Sequence, residues 1–193
     1  RTAGISPLPL PEFTLAGPYV AYVDPDSMMA LTAALLVAAA EAAGTPDTFN
    51  WMGHDVSLRP PFPRKRYDDL LAEVTGCDPE DPASVAAEAS KHEIETAGRH
   101  PDVIKSELFE ETVEKTLSGP IFVIDYPAAV CPLTKSKSDA PDLAERFELY
   151  VAGMELANAY TDLNAPELQD ELFQTQLDVL SAAESRGQMY NDW

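Results

Sequence analysis

Cationic side chains are scarce in this chain: 13 Lys and Arg stand against 33 Asp and Glu, a formal charge of -20 over 193 residues. A field of that sign repels phosphate backbones, whereas nucleic-acid binders normally present a basic patch or stripe. The only dense basic cluster is Arg64-Lys65-Arg66, with a weaker Lys135/Lys137 pair, so autonomous nucleic-acid binding is not expected. Cysteine is scarce too. Cys77 and Cys131 have no metal-type spacing and cannot build a disulfide framework, so both read as free thiols. His54, His92 and His100 are scattered without metal or catalytic spacing. No internal repeat, low-complexity linker or secretory signal interrupts the chain. The most apolar run, Met28 to Ala43, is Ala-rich and about one turn short of the roughly 20 residues a bilayer span needs. It is expected to be a buried amphipathic helix, with no transmembrane segment. The expectation is a soluble chain of unassigned compartment, cytoplasmic or organellar and peripheral to a larger complex, with residues 1–193 forming one domain long enough to bury a sizeable core.

The punctuation then orders the elements. Pro7, Pro9, Pro11 and Pro18 make the first stretch a loop or sheet edge, running on as extended chain through EFTLAGPYVAYV. Asp24-Pro25-Asp26-Ser27 caps a long helix ending near Gly44. TFNWMG and HDVSLRP are short strands meeting around Gly53. A helix over 67–75 stops at Gly76; beyond the Pro-broken turn at Asp78–Asp81, helices are expected over about 83–97 and 101–117. Gly119-Pro120 opens the apolar strand IFVID, and Ala165-Pro166 starts a last helix reaching about 185.

The densest chemistry lies in residues 145–164, ERFELYVAGMELANAYTDLN, where carboxylates, an amide and phenols interleave with strand formers. Successive strand side chains point to opposite faces. Glu148, Asn158, Tyr160 and Asp162 share one parity, so one face presents an amide, a hydroxyl and two carboxylates. Glu155 has the other parity, and a bulge or kink near Gly153 would be needed to turn it to the same side. Three carboxylates gathered in this way suit Mg²⁺ held together with phosphates, and an ammonium group.

The run RFELYVAGMELANAYTDLNAP resembles the segment of class II lysyl-tRNA synthetases with the pattern RFEL…E…NAYTELNDP. RTAGISPLPLPEFT is similar to that family's second signature motif, F-R-N-E-G-I-D-x-x-H-N-P-E-F-T, with Arg1, Gly4, Ile5, Pro11, Glu12, Phe13 and Thr14 matching. PPFPRKRYDDLL follows PFxRxxxxEAL, and PIFVIDYPAAVCPLTK follows the strand leading into YP…SPLAK, keeping Lys135 but placing Cys131 where Ser is usual. The fold this implies is α+β: a class II synthetase-like, largely antiparallel sheet flanked by helices. Only the middle portion of such a catalytic domain is matched, without the anticodon-binding domain or the first and third motifs, so the sheet is expected to be incomplete.

The resemblance also implies roles. Arg1 corresponds to the Arg that holds the ATP α-phosphate, and Glu148 and Glu155 to the carboxylates that take Mg²⁺ together with ATP. Tyr19, Asn158 and Tyr160 correspond to amino-acid pocket residues. Asp162 stands where a Glu pairs with the lysine ε-ammonium, and its shorter side chain withdraws the carboxylate by about 1.5 Å, roughly one C–C bond. Ala3, Pro9 and Gly17 replace a Glu, a His and a second Glu of the family pattern. With these pocket positions neutralised, the expected function is that of a catalytically degenerate lysyl-tRNA synthetase-like domain, serving as a structural or interaction subunit among other protein subunits. Autonomous tRNA binding is not expected. The alternative is an ATP-dependent lysine-activating fragment completed by another chain.

Overall fold

The computed structural model describes residues 14–170 together with 172 and 173. Its centre is a four-stranded sheet in the order β3-β4-β5-β6, formed by Arg64–Arg66 (β3), Ile121–Ile124 (β4), Arg146–Val151 (β5) and Met154–Tyr160 (β6). β3 runs parallel to β4, and the remaining pairs are antiparallel. The flanking elements are helices α1 (Pro25–Ala42), α2 (Tyr67–Thr75), α3 (Pro82–Lys91) and α4 (Pro101–Thr112), and the hairpin β1 (Thr48–Trp51) with β2 (His54–Ser57). The architecture is thus α+β, with helices packed around a largely antiparallel sheet.

The two faces of the sheet follow from the alternation in β4 and β5. Phe122, Phe147, Leu149 and Val151 point to one side, where they meet Met29 and Ala33 of α1 with Val56, Leu58 and Phe62. Phe122 and Phe147 meet edge-on with centroids 5.3 Å apart. Val123 and Tyr150 point to the other side, into a core with Tyr67, Leu71, Val85, Leu108, Phe109 and Val113 from α2, α3, α4 and the turn after it. Tyr67 stacks on Phe109 at 4.0 Å, one of the aromatic contacts that anchor α2 against α4.

Several local expectations are revised. Residues 145–164 are two antiparallel strands rather than one: Ala152 (φ 52) and Gly153 (φ 74) form a two-residue turn between β5 and β6. Positive φ at both positions matches the hairpin turn whose twist suits the flanking strands. Gly153 is therefore a reversal of the chain, not a kink within a strand. The helix expected over 83–97 ends at Lys91, because Glu93 turns left-handed (φ 62) and sends Ile94 back against the helical core. α4 ends at Thr112 and passes into a 3-10 turn at Glu114–Thr116. The stretch from Thr14 to Val20 makes no strand, and Tyr19 is 88% exposed.

α1 is 18 residues long and apolar enough by length and composition to cross a membrane. Here it lies on the sheet through one face only. Met29 and Ala33 are buried, whereas Leu35 on the far side is 49% exposed, so the expected buried helix is a surface one. Asp24 accepts from Ser27 N at 2.7 Å and caps its start. Helical backbone begins again at Pro166. The remainder of that helix to about 185, Arg1 and the other positions of the motif-like segment up to Phe13 lie outside the described residues.

Candidate active site

Glu148 is the hub. It sits in the middle of β5, is 4% exposed, and is one of the few buried polar residues. Its position opposite Asn158 on β6 and Val123 on β4 fixes which way it points, because directly paired residues share a face. Its Oε2 accepts from Tyr126 Oη at 2.5 Å and from Tyr150 Oη at 2.6 Å. Its Oε1 accepts from the Arg146 guanidinium and, at 3.4 Å, from Asn158 Nδ2. A carboxylate offers about four acceptor positions, so three close donors and one long contact nearly saturate it. The Asn158 contact is the weakest and the readiest to exchange.

Around this hub the electrostatics are consistent. Burial alone would lower the Arg146 guanidinium, and the Glu148 carboxylate overturns that and holds it above its ordinary value. Arg146 also stands 4.9 Å over the Tyr126 ring and donates to Cys131 Sγ at 3.3 Å. Burial, reinforced by the Glu148 charge, pushes both the Tyr126 and Tyr150 phenols well up, so both remain donors. Burial raises the Cys131 thiol, against the lowering effect of Arg146.

The remaining expected residues come from β6 and the segment after it. The β5–β6 register shifts between Leu149 and Tyr150: Leu149 pairs with Ala157, but Tyr150 pairs with Glu155. Leu156 is the extra residue of this bulge, and the shift sets Glu155 opposite Tyr150, on the Glu148 side of the sheet. A bulge does turn Glu155, two positions before Ala157, where the regular register begins. Tyr160 lies opposite Arg146 and is 44% exposed. Asp162 is exposed and is tied by its backbone to Thr134. Tyr19 lies in the exposed coil before α1, and Arg1 is not among the described residues.

Three partners of the hub have no place in the sequence reading of the site. Arg146 and Tyr150 share the parity of Glu148 and were visible in that pattern. Tyr126 arrives from the loop after β4, and no local signal announces it. A fourth residue, Glu114, reaches Tyr150 Oη at 2.7 Å from the 3-10 turn after α4. Its carboxyl is pushed up to about 7, chiefly by burial; Tyr150 opposes the shift, and Glu110, Glu148 and Glu155 add to it.

The donor set suits a hard cation only in part. Glu148 and Glu155 place two carboxylates on one face, and Mg²⁺ typically takes one or two carboxylates and completes its shell with water and substrate phosphates. Among the described residues no three His, Cys, Asp or Glu side chains gather into a metal site of their own. Two carboxylates on one face match the protein's share of such a shell in number, with Glu148 already accepting from four donors.

The buried Glu148, with Asn158, two phenols and Glu155 on one side of a largely antiparallel sheet, lies in the segment whose sequence resembles class II synthetases. The chain belongs to that family: the profile of tRNA synthetases class II (D, K and N) matches residues 6–192. Its relatives narrow the class further. It is 35% identical, over its whole length, to a lysine–tRNA ligase of Chloroflexus aurantiacus, and 36% identical to that of Carboxydothermus hydrogenoformans. Over 94% of its length it is 33% identical to a lysine–tRNA ligase of Saccharolobus solfataricus. The chain spans 40% of the length of the first two relatives and 37% of the third. It is a lysyl-tRNA synthetase-like domain.

Proposed function

We propose that this domain carries the carboxylate face on which a lysine–tRNA ligase activates lysine with ATP. In this reading Glu148 and Glu155 face the Mg²⁺–triphosphate, Asn158 and Tyr160 line the amino-acid side, and Asp162 meets the ε-ammonium. Arg1 and Tyr19 come from the segment before α1. The observation that carries the reading is the bulge at Leu156, which sets Glu155 beside Tyr150 and Glu148 rather than on the opposite face. Two carboxylates so disposed hold a nucleotide-borne cation, while the Glu148 hydrogen bonds fix one of them in place before any ligand arrives. Mg²⁺, when bound with ATP, would neutralise phosphate charge.

The second reading keeps the fold and drops the chemistry: a degenerate domain retained as a structural or interaction subunit of a larger assembly. It rests on Ala3, Gly17 and Asp162, which leave less negative charge for the lysine side. At Gly17 a Cβ would meet nothing within 4 Å, so no local packing demands a glycine there. Lysine-dependent exchange of pyrophosphate into ATP by the full-length protein decides between them. Exchange above the background without lysine supports activation, and exchange at background with intact folding supports the subunit.

A further inference from the structure

Glu114 is a half-buried carboxyl on the 3-10 turn after α4. Among the described residues its carboxyl makes one hydrogen bond, with Tyr150 Oη at 2.7 Å, and no salt bridge. The charged groups that raise it are Glu110 from α4, Glu148 from β5 and Glu155 from β6, all of one sign. Lys115, next in sequence, pairs with Glu111 instead.

The proton count of this chain of contacts is fixed by chemistry. Tyr150 Oη lies 2.6 Å from Glu148 Oε2 and 2.7 Å from Glu114 Oε1, yet a phenol has one O–H to donate. Both contacts are hydrogen bonds only if one of the two carboxyls supplies a second proton. Glu148 accepts from Arg146, Asn158 and Tyr126 as well, which favours its ionised form. The second proton therefore belongs to Glu114.

We infer that Glu114 is a positioning residue for this site: its protonated carboxyl donates to Tyr150 Oη and so commits the Tyr150 O–H to Glu148. The inference rests on the lysine-activation reading for its effect on ligand, but not for the proton itself. The turn holding Glu114 is anchored to the hairpin that carries Glu155, since Gly153 N donates to Leu117 O at 2.8 Å and Ala152 N to Ser118 O at 3.0 Å. Both carboxylates of the proposed nucleotide face are thus braced from one turn. Losing the Glu114 contact leaves Tyr150 Oη without an incoming donor, so the ring is held at its hydroxyl by Glu148 alone.

The test compares wild-type full-length protein with Glu114→Gln and Glu114→Ala. A Gln amide donates to Tyr150 Oη as a protonated Glu does, whereas Ala leaves that oxygen without an incoming hydrogen bond, its O–H still held by Glu148. Difference infrared spectra near pH 5, well below the value of about 7 at which Glu114 ionises, are expected to show a protonated-carboxyl band in the wild type that E114Q removes. Calorimetric titration with Mg²⁺–ATP plus lysine is expected to show E114A weaker by about tenfold, the scale of one orphaned buried hydrogen bond, with E114Q restoring most of that loss. Absence of the band, or E114Q as impaired as E114A, overturns the inference. A wild type that shows the band but binds no Mg²⁺–ATP overturns the activation reading and with it the positioning role, leaving the proton assignment standing. Far-UV circular dichroism of all three proteins separates these results from misfolding.

Discussion

Tyr126 and Tyr150 share one acceptor: their hydroxyls reach Glu148 Oε2 at 2.5 and 2.6 Å from two different elements, the loop after β4 and β5 itself. The shared oxygen locks the buried carboxylate between them, and Arg146 neutralises it from its other side. This makes Glu148 a structural hub as well as a candidate ligand.

Glu148→Gln should therefore destabilise the domain by about 3 kcal/mol, because removing one partner of a buried ion pair leaves the other uncompensated. Urea denaturation of E148Q gives the value directly. Arg146→Met combined with E148Q should cost less than the two single changes added together, since the double variant no longer buries a lone cation. Strict additivity would mean that the pair contributes nothing as a pair.

Glu114 predicts a pH dependence of the opposite sense to an ordinary salt-bridged carboxylate. Its folded value, about 7, lies above its ordinary value of 4.5, so the native state holds a proton that the unfolded chain releases first. The associated stability is complete below about pH 4.5 and is lost as pH rises toward 7. Asp24, Asp47, Glu88 and Glu111 are lowered by their hydrogen-bond partners and act in the other direction on the acid side. The difference between wild type and E114Q isolates the Glu114 contribution. It should decline between about pH 4.5 and 7 and be flat above, and a flat difference throughout would mean that Glu114 is ionised in the folded protein.

Local punctuation made several elements readable. Gly76, at φ 74, ends α2 where the sequence places it, and the β1–β2 hairpin turns at Met52-Gly53 between its two short strands. The turn at Ala152-Gly153 was harder to read, because alanine at a positive φ lacks the Asn or Asp that usually announces such a turn. The sharing of one face by Glu148 and Asn158 was legible from parity, although it arises from pairing across a hairpin rather than along one strand. Tyr126 and Glu114 were not legible, since their approach depends on how the loop after β4 and the turn after α4 pack in three dimensions. Non-local contacts of that kind leave no periodic trace.

Gly153→Ala tests the hairpin. A Cβ at this position would stand 3.4 Å from Lys115 Cα, an ordinary contact, so the expected cost comes from the left-handed backbone rather than from a clash. A loss of about 1 kcal/mol in thermal or urea denaturation is expected. If activation depends on the position of Glu155, the same variant should also raise the KM for ATP, because Glu155 lies only two residues beyond the turn. A stability loss with unchanged KM would separate Glu155 from the nucleotide face.

Asp162→Glu asks whether the lysine side was merely shortened. Asp162 is exposed, and its backbone is held by the bridge to Thr134, so one added methylene meets no packed core. The longer side chain advances the carboxylate by about 1.5 Å. Charge-assisted hydrogen bonds depend steeply on such distances, so D162E is expected to lower the KM for lysine about tenfold in pyrophosphate exchange, with the KM for ATP unchanged. Such a split would place Asp162 on the amino-acid side and leave Glu148 and Glu155 to the nucleotide. An unchanged lysine KM in an active enzyme would remove Asp162 from the pocket. If neither wild type nor D162E exchanges pyrophosphate while both fold alike, the subunit reading takes precedence, because the shortened carboxylate is then not what withholds activity.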